Sequence, residues 1–336
     1  MMPDRALARV ALLATGGTIA GAQDSAESAA YRAGALSIDA LLQAVPGLAR
    51  AANVQAEQLA NVGSQNMTYD VWRALAARVA ELCADASIDG IVITHGTDTI
   101  EETAYFLSLV LPFDKPVVLV GAMRPSTALS ADGPRNLLNA VTIAAHPQSR
   151  GRGPLVTMND DIHYARSVQK TACGGVAAFT SPNSGRAGWV RGGQVGFYGT
   201  SNIASAAAKQ VFSMPLPPVR SWPRVDIAYA CVDMDGALID FIAAHAQGII
   251  LAGVGDGNAT DDAIAAIDRA VAKGVVVVRS TRTGSGSVMR NIEINDDGHG
   301  TIAAGELNPQ KARVLLTLGL MRSHEPVALQ RLFDLY

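Results

Sequence analysis

Short β-branched runs, each closing on glycine or a small hydroxyl residue, alternate with amphipathic segments along this chain, and that alternation leaves few folds open. Residues 10–14, 90–94, 116–121, 154–158 and 176–179 read as strands. Between them, 70–83, 99–110 and 133–145 carry apolar residues at three- and four-residue spacing, the period of a helix with one buried face. Strands separated by helices pair in parallel, and a parallel sheet must be covered on both faces. The expected class is therefore α/β with mostly parallel sheets. At 336 residues the chain also exceeds what one core sustains, so two domains are expected.

A local exception stands at 188–198, where Gly192-Gly193 predicts an antiparallel hairpin. Downstream, Pro215, Pro217, Pro218 and Pro223 exclude both helix and central strand and mark a linker. The organisation expected is a larger N-terminal catalytic α/β domain over 1–204, a linker over 205–223 and a smaller C-terminal α/β domain over 224–336. In the last of these, 226–232, 248–254 and 274–279 read as strands and 261–273 and 309–320 as helices. Asp261 is placed to cap the first helix, and Pro309 suits the first turn of the second.

Composition removes several function classes. Lys and Arg number 27 against 30 for Asp and Glu, with no run of like charge, so no surface is built for a phosphate backbone and no nucleic-acid partner is expected. No apolar stretch is long enough to span a bilayer. Cys83, Cys173 and Cys231 lack metal-ligand spacing and are too few for a disulfide framework. With no secretion signal read ahead of Val10, the expected setting is the cytoplasm, or the periplasm if a signal has been removed. Neither a metal nor an organic cofactor is expected.

The chemistry lies in two turns, each placed where a buried strand runs into a loop: Ala14-Thr15-Gly16-Gly17-Thr18-Ile19-Ala20-Gly21 and Thr94-His95-Gly96-Thr97-Asp98-Thr99. An α/β protein gathers its reactive groups at strand C-terminal ends, and a threonine hydroxyl is an acyl-transfer nucleophile when a base assists it. The first turn is not a nucleotide loop. The dinucleotide pattern needs glycine where Thr18 stands, and the phosphate loop needs lysine after its second glycine, where Ala22 follows Gly21. Taken alone, Thr18 reads equally well as a loop cap. The second turn changes that balance, because a parallel sheet can bring its hydroxyl and carboxylate to the same edge. Thr99 reads as a helix start with Glu101 and Glu102 in the first turn, and His95 as a packed, hydrogen-bonded residue rather than a general base.

These residues resemble the bacterial-type L-asparaginases, most closely the type II branch that includes the glutaminase-asparaginases. The two turns look like the family's two signatures, and the likeness continues through Asn61-Val62-Gly63-Ser64-Gln65, 115–126, Gly253-Val254-Gly255-Asp256-Gly257-Asn258 and 307–313, covering nearly the whole chain. The resemblance implies a flavodoxin-like C-terminal domain and Thr18 as nucleophile, with Tyr31 at the end of a lid hinged near Gly21. It further implies a second catalytic cluster of Thr97, Asp98 and Lys170. Ser64 and Gln65 would hold the substrate α-carboxylate, Asp98 its α-ammonium, and the Ala122 carbonyl would face the side-chain amide. Asn258 and Glu293 would reach the site from a neighbouring subunit of a homotetramer, a dimer of intimate dimers.

Each implied role competes with a plainer one. Tyr31 alone reads as a surface aromatic, Lys170 as a solvated lysine, Asn258 as a shaper of the Gly257 turn and Glu293 as an exposed strand carboxylate. The chain also departs from relatives in two places. Phe113 stands before Asp114-Lys115-Pro116, where periplasmic relatives can carry the cysteine that would pair with Cys83, and Asp256 replaces a common asparagine. Residues 283–291 look more like the glutaminase-asparaginases. The expected activity is hydrolysis of L-asparagine to aspartate and ammonia with lower glutaminase activity. The alternatives are comparable activity on both amides, a non-catalytic amino-acid binder and, more distantly, a dinucleotide oxidoreductase.

Overall fold

The computed structural model describes residues 7–23, 31–32, 42–45, 47–111, 114–199, 212 and 214–336. The chain divides into two compact units, 1–216 and 217–336.

The larger unit is organised by β1 (Arg9–Gly16), in which every residue after Arg9 is buried. A short antiparallel pair, β2 (Ala22–Gln23) with β3 (Tyr31–Arg32), follows it. Then come β4 (Asn53–Val62), β5 (Gly90–Thr94), β6 (Val117–Val120) and β7 (Pro154–Met158). In the sheet these lie in the order β4-β1-β5-β6-β7, all parallel. Beyond β7 the sheet grows by hairpins: β8 (Asp161–Tyr164), then, after the separate pair β9 (Gln169–Lys170) and β10 (Phe179–Thr180), β11 (Gly188–Arg191) and β12 (Gln194–Phe197). Gly192 and Gly193, at φ 57° and 80°, make the tight turn between β11 and β12 expected from the sequence.

Helices α1 (Tyr69–Ala84), α2 (Ile100–Val110) and α3 (Gly133–Ala145) cover the sheet. Because side chains alternate across a strand, Val10, Leu12 and Ala14 meet Leu137, Ala140 and Val141 of α3 in one core. Leu13, Ile91, Ile93 and Leu119 point to the other face, where α1 and α2 pack with the rings of Trp72 and Phe106 stacked at 4.7 Å.

In the smaller unit β13 (Val225–Tyr229), β14 (Gly248–Gly253), β15 (Val276–Thr281) and β16 (Ile302–Ala303) form a parallel sheet that follows chain order. Helices α4 (Ala237–Ala243) and α5 (Asp261–Ala272) share a core with one face of this sheet. On the other face lies α6 (Pro309–Leu320), where Leu316 and Leu320 press on Gly248; α7 (Pro326–Leu335) packs on α6. Both units are thus α/β, and the larger sheet is mostly parallel. Among the described residues no helix is long and apolar enough to cross a membrane.

Two local expectations fail and one strand goes unread, each for an identifiable reason. Residues 176–179 are not a sheet strand. The place beside β7 is taken by β8, delivered by a tight turn with Asn159 and Asp160 at φ 50° and 65°, so only Phe179–Thr180 pairs, with β9. The cap of α5 is Thr260, whose hydroxyl accepts the Ala263 N–H, and Asp261 lies inside the first turn. Strand β4 carries no apolar run because it is an edge strand with mostly exposed side chains, which hides it from pattern reading.

Candidate active site

In an open parallel sheet, a crevice forms where strand order reverses, outside the strand C-terminal ends. The order β4-β1-β5 reverses at β1: the chain leaves β1 for one neighbour and then crosses to the other. The loops that open there are the two threonine turns.

They touch. Gly17, at φ 85°, lies so close to the second turn that a Cβ on it would sit 2.5 Å from the Gly96 Cα, so both the backbone conformation and the space require glycine. Thr15 stitches the strands behind this contact, its hydroxyl donating to the Thr94 carbonyl at 2.8 Å. Thr18 then opens a single 3-10 turn (Thr18–Ala20) and is 7 % exposed, at the crevice but largely enclosed. The turn ends at Gly21, whose carbonyl accepts both the N–H and the hydroxyl of Ser126, at 3.0 and 2.6 Å.

The second turn carries a charged chain. Lys170 Nζ donates to the Thr97 hydroxyl at 3.0 Å and to Asp98 Oδ1 at 2.6 Å. An ammonium that fills a lone pair of Thr97 leaves the threonine's own proton for another acceptor. The Lys170 side chain is 19 % exposed and that of Asp98 56 %, so the lysine is held inward while the carboxylate stays accessible. Its backbone is fixed as well, since the Lys170 N–H donates to Glu101 Oε2 at 2.8 Å. Glu101 is 3 % exposed and therefore does more than decorate the start of α2.

Below the turn, His95 is completely buried. Trp72 Nε1–H donates to the Thr103 hydroxyl at 2.8 Å, which leaves the Thr103 proton for His95 Nε2 at 2.9 Å. By elimination the Nδ1 proton goes to the Gly96 carbonyl, 2.7 Å away. Burial lowers the His95 pKa to about 4, and the Gly96 hydrogen bond offsets this only in part. The ring is neutral near pH 7 and serves as a strut under Gly96.

Ser64 is 2 % exposed and joins β4 to the same turn. Its hydroxyl accepts the Asp98 N–H at 3.1 Å and its carbonyl accepts the Thr99 hydroxyl at 2.8 Å. Thr99 is thus at the helix start, as expected, but spends its side chain on Ser64 rather than on a cap. Gln65 is exposed beside Ser64. Ala122 is buried just beyond β6, and Gly121 next to it packs on the His95 carbonyl and the Thr97 methyl. Tyr31 enters by its backbone, in β3 opposite Gln23, while its side chain lies outside the described residues.

Asn258 and Glu293 lie in the smaller unit, and they meet: Asn258 Nδ2 donates to Glu293 Oε2 at 3.2 Å. Asn258 closes the turn after β14 by a paired bridge with Val254, and Glu293 is exposed in a turn rather than on a strand. Both rest on a buried ion pair. Arg279 and Asp296, each 0 % exposed, bond through Nε–Oδ1 and Nη2–Oδ2 at 2.7 Å. Burial pushes the Asp296 carboxyl up, but hydrogen bonds from Arg279, Thr301 and the Asn291 N–H outweigh it and hold the group below the usual carboxylate range.

Sequence reasoning missed Glu101 as a support for Lys170, the Trp72–Thr103–His95 strut and the Arg279–Asp296 pair. The last left a signal: an arginine directly after Val275-Val276-Val277-Val278, where a strand buried on both faces tolerates only a paired charge.

Residues 9–202 match the family model described as Asparaginase, N-terminal, and residues 224–333 the model described as Glutaminase/Asparaginase C-terminal domain. The chain is 46 % identical to the "Probable L-asparaginase periplasmic" of Haemophilus influenzae, covering 98 % of this chain and 93 % of that one. It is 42 % identical to the "Glutaminase-asparaginase" of Pseudomonas fluorescens, covering 97 % and 90 %. A solved structure titled "Probable Cytoplasmic L-asparaginase" from Campylobacter jejuni superposes with a TM-score of 0.91 at 43 % identity, covering 98 % of this chain and all of that one.

Proposed function

We propose, from the premise that this chain belongs to the bacterial-type asparaginase family, that it hydrolyses L-asparagine to L-aspartate and ammonia by double displacement at Thr18. The observation that carries this reading is the contact of the two threonine turns at the reversal of strand order, with Lys170 bonded to both Thr97 and Asp98 beside it.

Thr18 Oγ attacks the side-chain amide carbon and gives up its proton. The oxyanion is held by backbone N–H groups of the turns, each donor of this kind lowering a barrier by about 3–4 kcal/mol. The C–N bond breaks, the nitrogen takes a proton and leaves as ammonia. Water then opens the Thr18 ester, releasing aspartate and restoring the hydroxyl. Tyr31 and the Thr97–Lys170–Asp98 chain handle these protons, which is the work of groups able to donate and accept at short range. Ser64 and Gln65 hold the α-carboxylate, Asp98 takes the α-ammonium through its exposed carboxylate, and the Ala122 carbonyl receives the amide N–H.

Asn258 and Glu293 complete a neighbouring subunit's site in a homotetramer of intimate dimers. Support comes from Met289 and Ile292, 57 % and 65 % exposed, which put apolar surface beside Glu293. A second reading, comparable activity on asparagine and glutamine, is favoured by the glutaminase-asparaginase relatives. One methylene is worth only about 1–3 kcal/mol of discrimination in a pocket.

The test is ammonia release from L-asparagine, L-glutamine and their D-forms by the intact protein and by Thr18→Ala. The expected result is a folded variant with almost no release; normal turnover of asparagine by Thr18→Ala would remove Thr18 as nucleophile.

A further inference from the structure

We infer that Arg279 is a positioning residue that fixes Asn258 and Glu293 in one geometry, and that its buried pairing with Asp296 sets substrate affinity rather than the chemical step. This rests on the reading of Asn258 and Glu293 as substrate-binding residues given above.

A guanidinium has five N–H donors, and all five of Arg279 are used. Nε and Nη2 grip Asp296, Nη2 also reaches the Met289 carbonyl at 3.2 Å, and Nη1 reaches the carbonyls of Asp256 and Gly257 at 2.8 and 3.4 Å. Asp256 and Gly257 are the two residues that lead into Asn258. Met289 begins the segment that leads to Glu293, and its N–H donates to Asp256 Oδ1 at 2.9 Å. Asp296 extends the hold by accepting the Asn291 N–H at 2.8 Å and the Thr301 hydroxyl at 2.5 Å. One planar fork therefore sets the distance between two loops whose tips share the Asn258–Glu293 hydrogen bond.

A buried ion pair is a poor source of stability, because desolvation offsets most of its attraction. A fixed fork of five donors does supply orientation. Lysine keeps the charge but offers three donors on a flexible stem, and cannot span both loops.

The experiment uses the full-length protein, with folding checked by circular dichroism and thermal melting, and steady-state kinetics on L-asparagine. Arg279→Lys should raise KM about tenfold and leave kcat within about threefold, as expected for a group that orients binding residues without touching the reacting atoms. Glu293→Gln alone should raise KM by a similar factor. Combined with Arg279→Lys it should add less than about twofold, since both changes break one unit. A folded Arg279→Lys with the original KM, or fully multiplicative effects, would overturn the inference.

Should Arg279→Lys fail to fold, Thr301→Val removes one hydrogen bond to Asp296 at nearly constant volume. It should raise KM about threefold, with a melt that stays cooperative but moves to lower temperature; an unchanged KM there would overturn the inference equally. If Asn258→Ala and Glu293→Gln both leave KM unchanged, the reading of the smaller unit's role falls and this inference with it. If those two raise KM while Arg279→Lys does not, only the inference falls.

Discussion

The two sheets place their candidate site residues alike, just beyond the C-terminal ends of parallel strands, yet hold them by opposite means. In the larger unit the order reverses at β1, and the loops that part there are joined by backbone contact and neutral hydroxyls: Gly17 on Gly96, Thr15 on Thr94, Ser64 on Asp98 and Thr99. In the smaller unit the strands follow chain order, and the loops after β14 and β15 are tied by a dry ion pair. A reversal parts the loops outside the strand ends, so the scaffold there needs little charge, and Asp98, paired with Lys170, keeps an exposed carboxylate. The smaller sheet shows no such reversal, and there side-chain hydrogen bonds from Arg279 join the loops after β14 and β15.

The largest expected effect sharpens that contrast on the reactive side. Thr18→Ala should lower kcat by about four orders of magnitude or more without altering fold, as removal of a nucleophile does in other acyl-transfer enzymes. Next, Lys170→Met should lower kcat by about 10²–10³-fold, the usual worth of a positioned acid or base, with circular dichroism unchanged. On the structural side the loss shifts from turnover to stability: Asp296→Ala leaves the Arg279 charge buried without its carboxylate and should cost about 3–5 kcal/mol in chemical denaturation. If Asp296→Ala is silent in stability, the contrast between the two scaffolds collapses.

The smallest effect is pH-dependent and belongs to the neutral scaffold. The folded His95 pKa, near 4, lies below the ordinary value of 6.5, so between these values the unfolded chain binds the extra proton. Stability from this group is complete above pH 6.5, declines as pH falls towards 4, and below 4 has lost about 3 kcal/mol. His95→Gln, which cannot titrate, should flatten the decline measured by urea unfolding across that window.

Much of this architecture could be read before any coordinates. Strands 90–94 and 154–158 and helices 133–145 and 309–320 fall where periodicity put them, because each is buried enough for its pattern to be uninterrupted. What could not be read is long-range in origin. Glu101 looks like an ordinary first-turn acid until β9 arrives 69 residues later to use it. The Thr99 hydroxyl looks like a cap until Ser64 claims it. Residues 176–179 have strand composition, but β8 holds the place beside β7 and only Phe179–Thr180 find a partner, in β9. Local chemistry predicts what a residue is able to do, whereas only topology says which partner reaches it first.

Ser126 shows what such a partner achieves mechanically. With two donors on the Gly21 carbonyl, the chain leaving the first threonine turn is moored one residue beyond that turn. The backbone that carries Thr18 is therefore fastened on both sides, by Gly17 against Gly96 before it and by Ser126 on Gly21 after it.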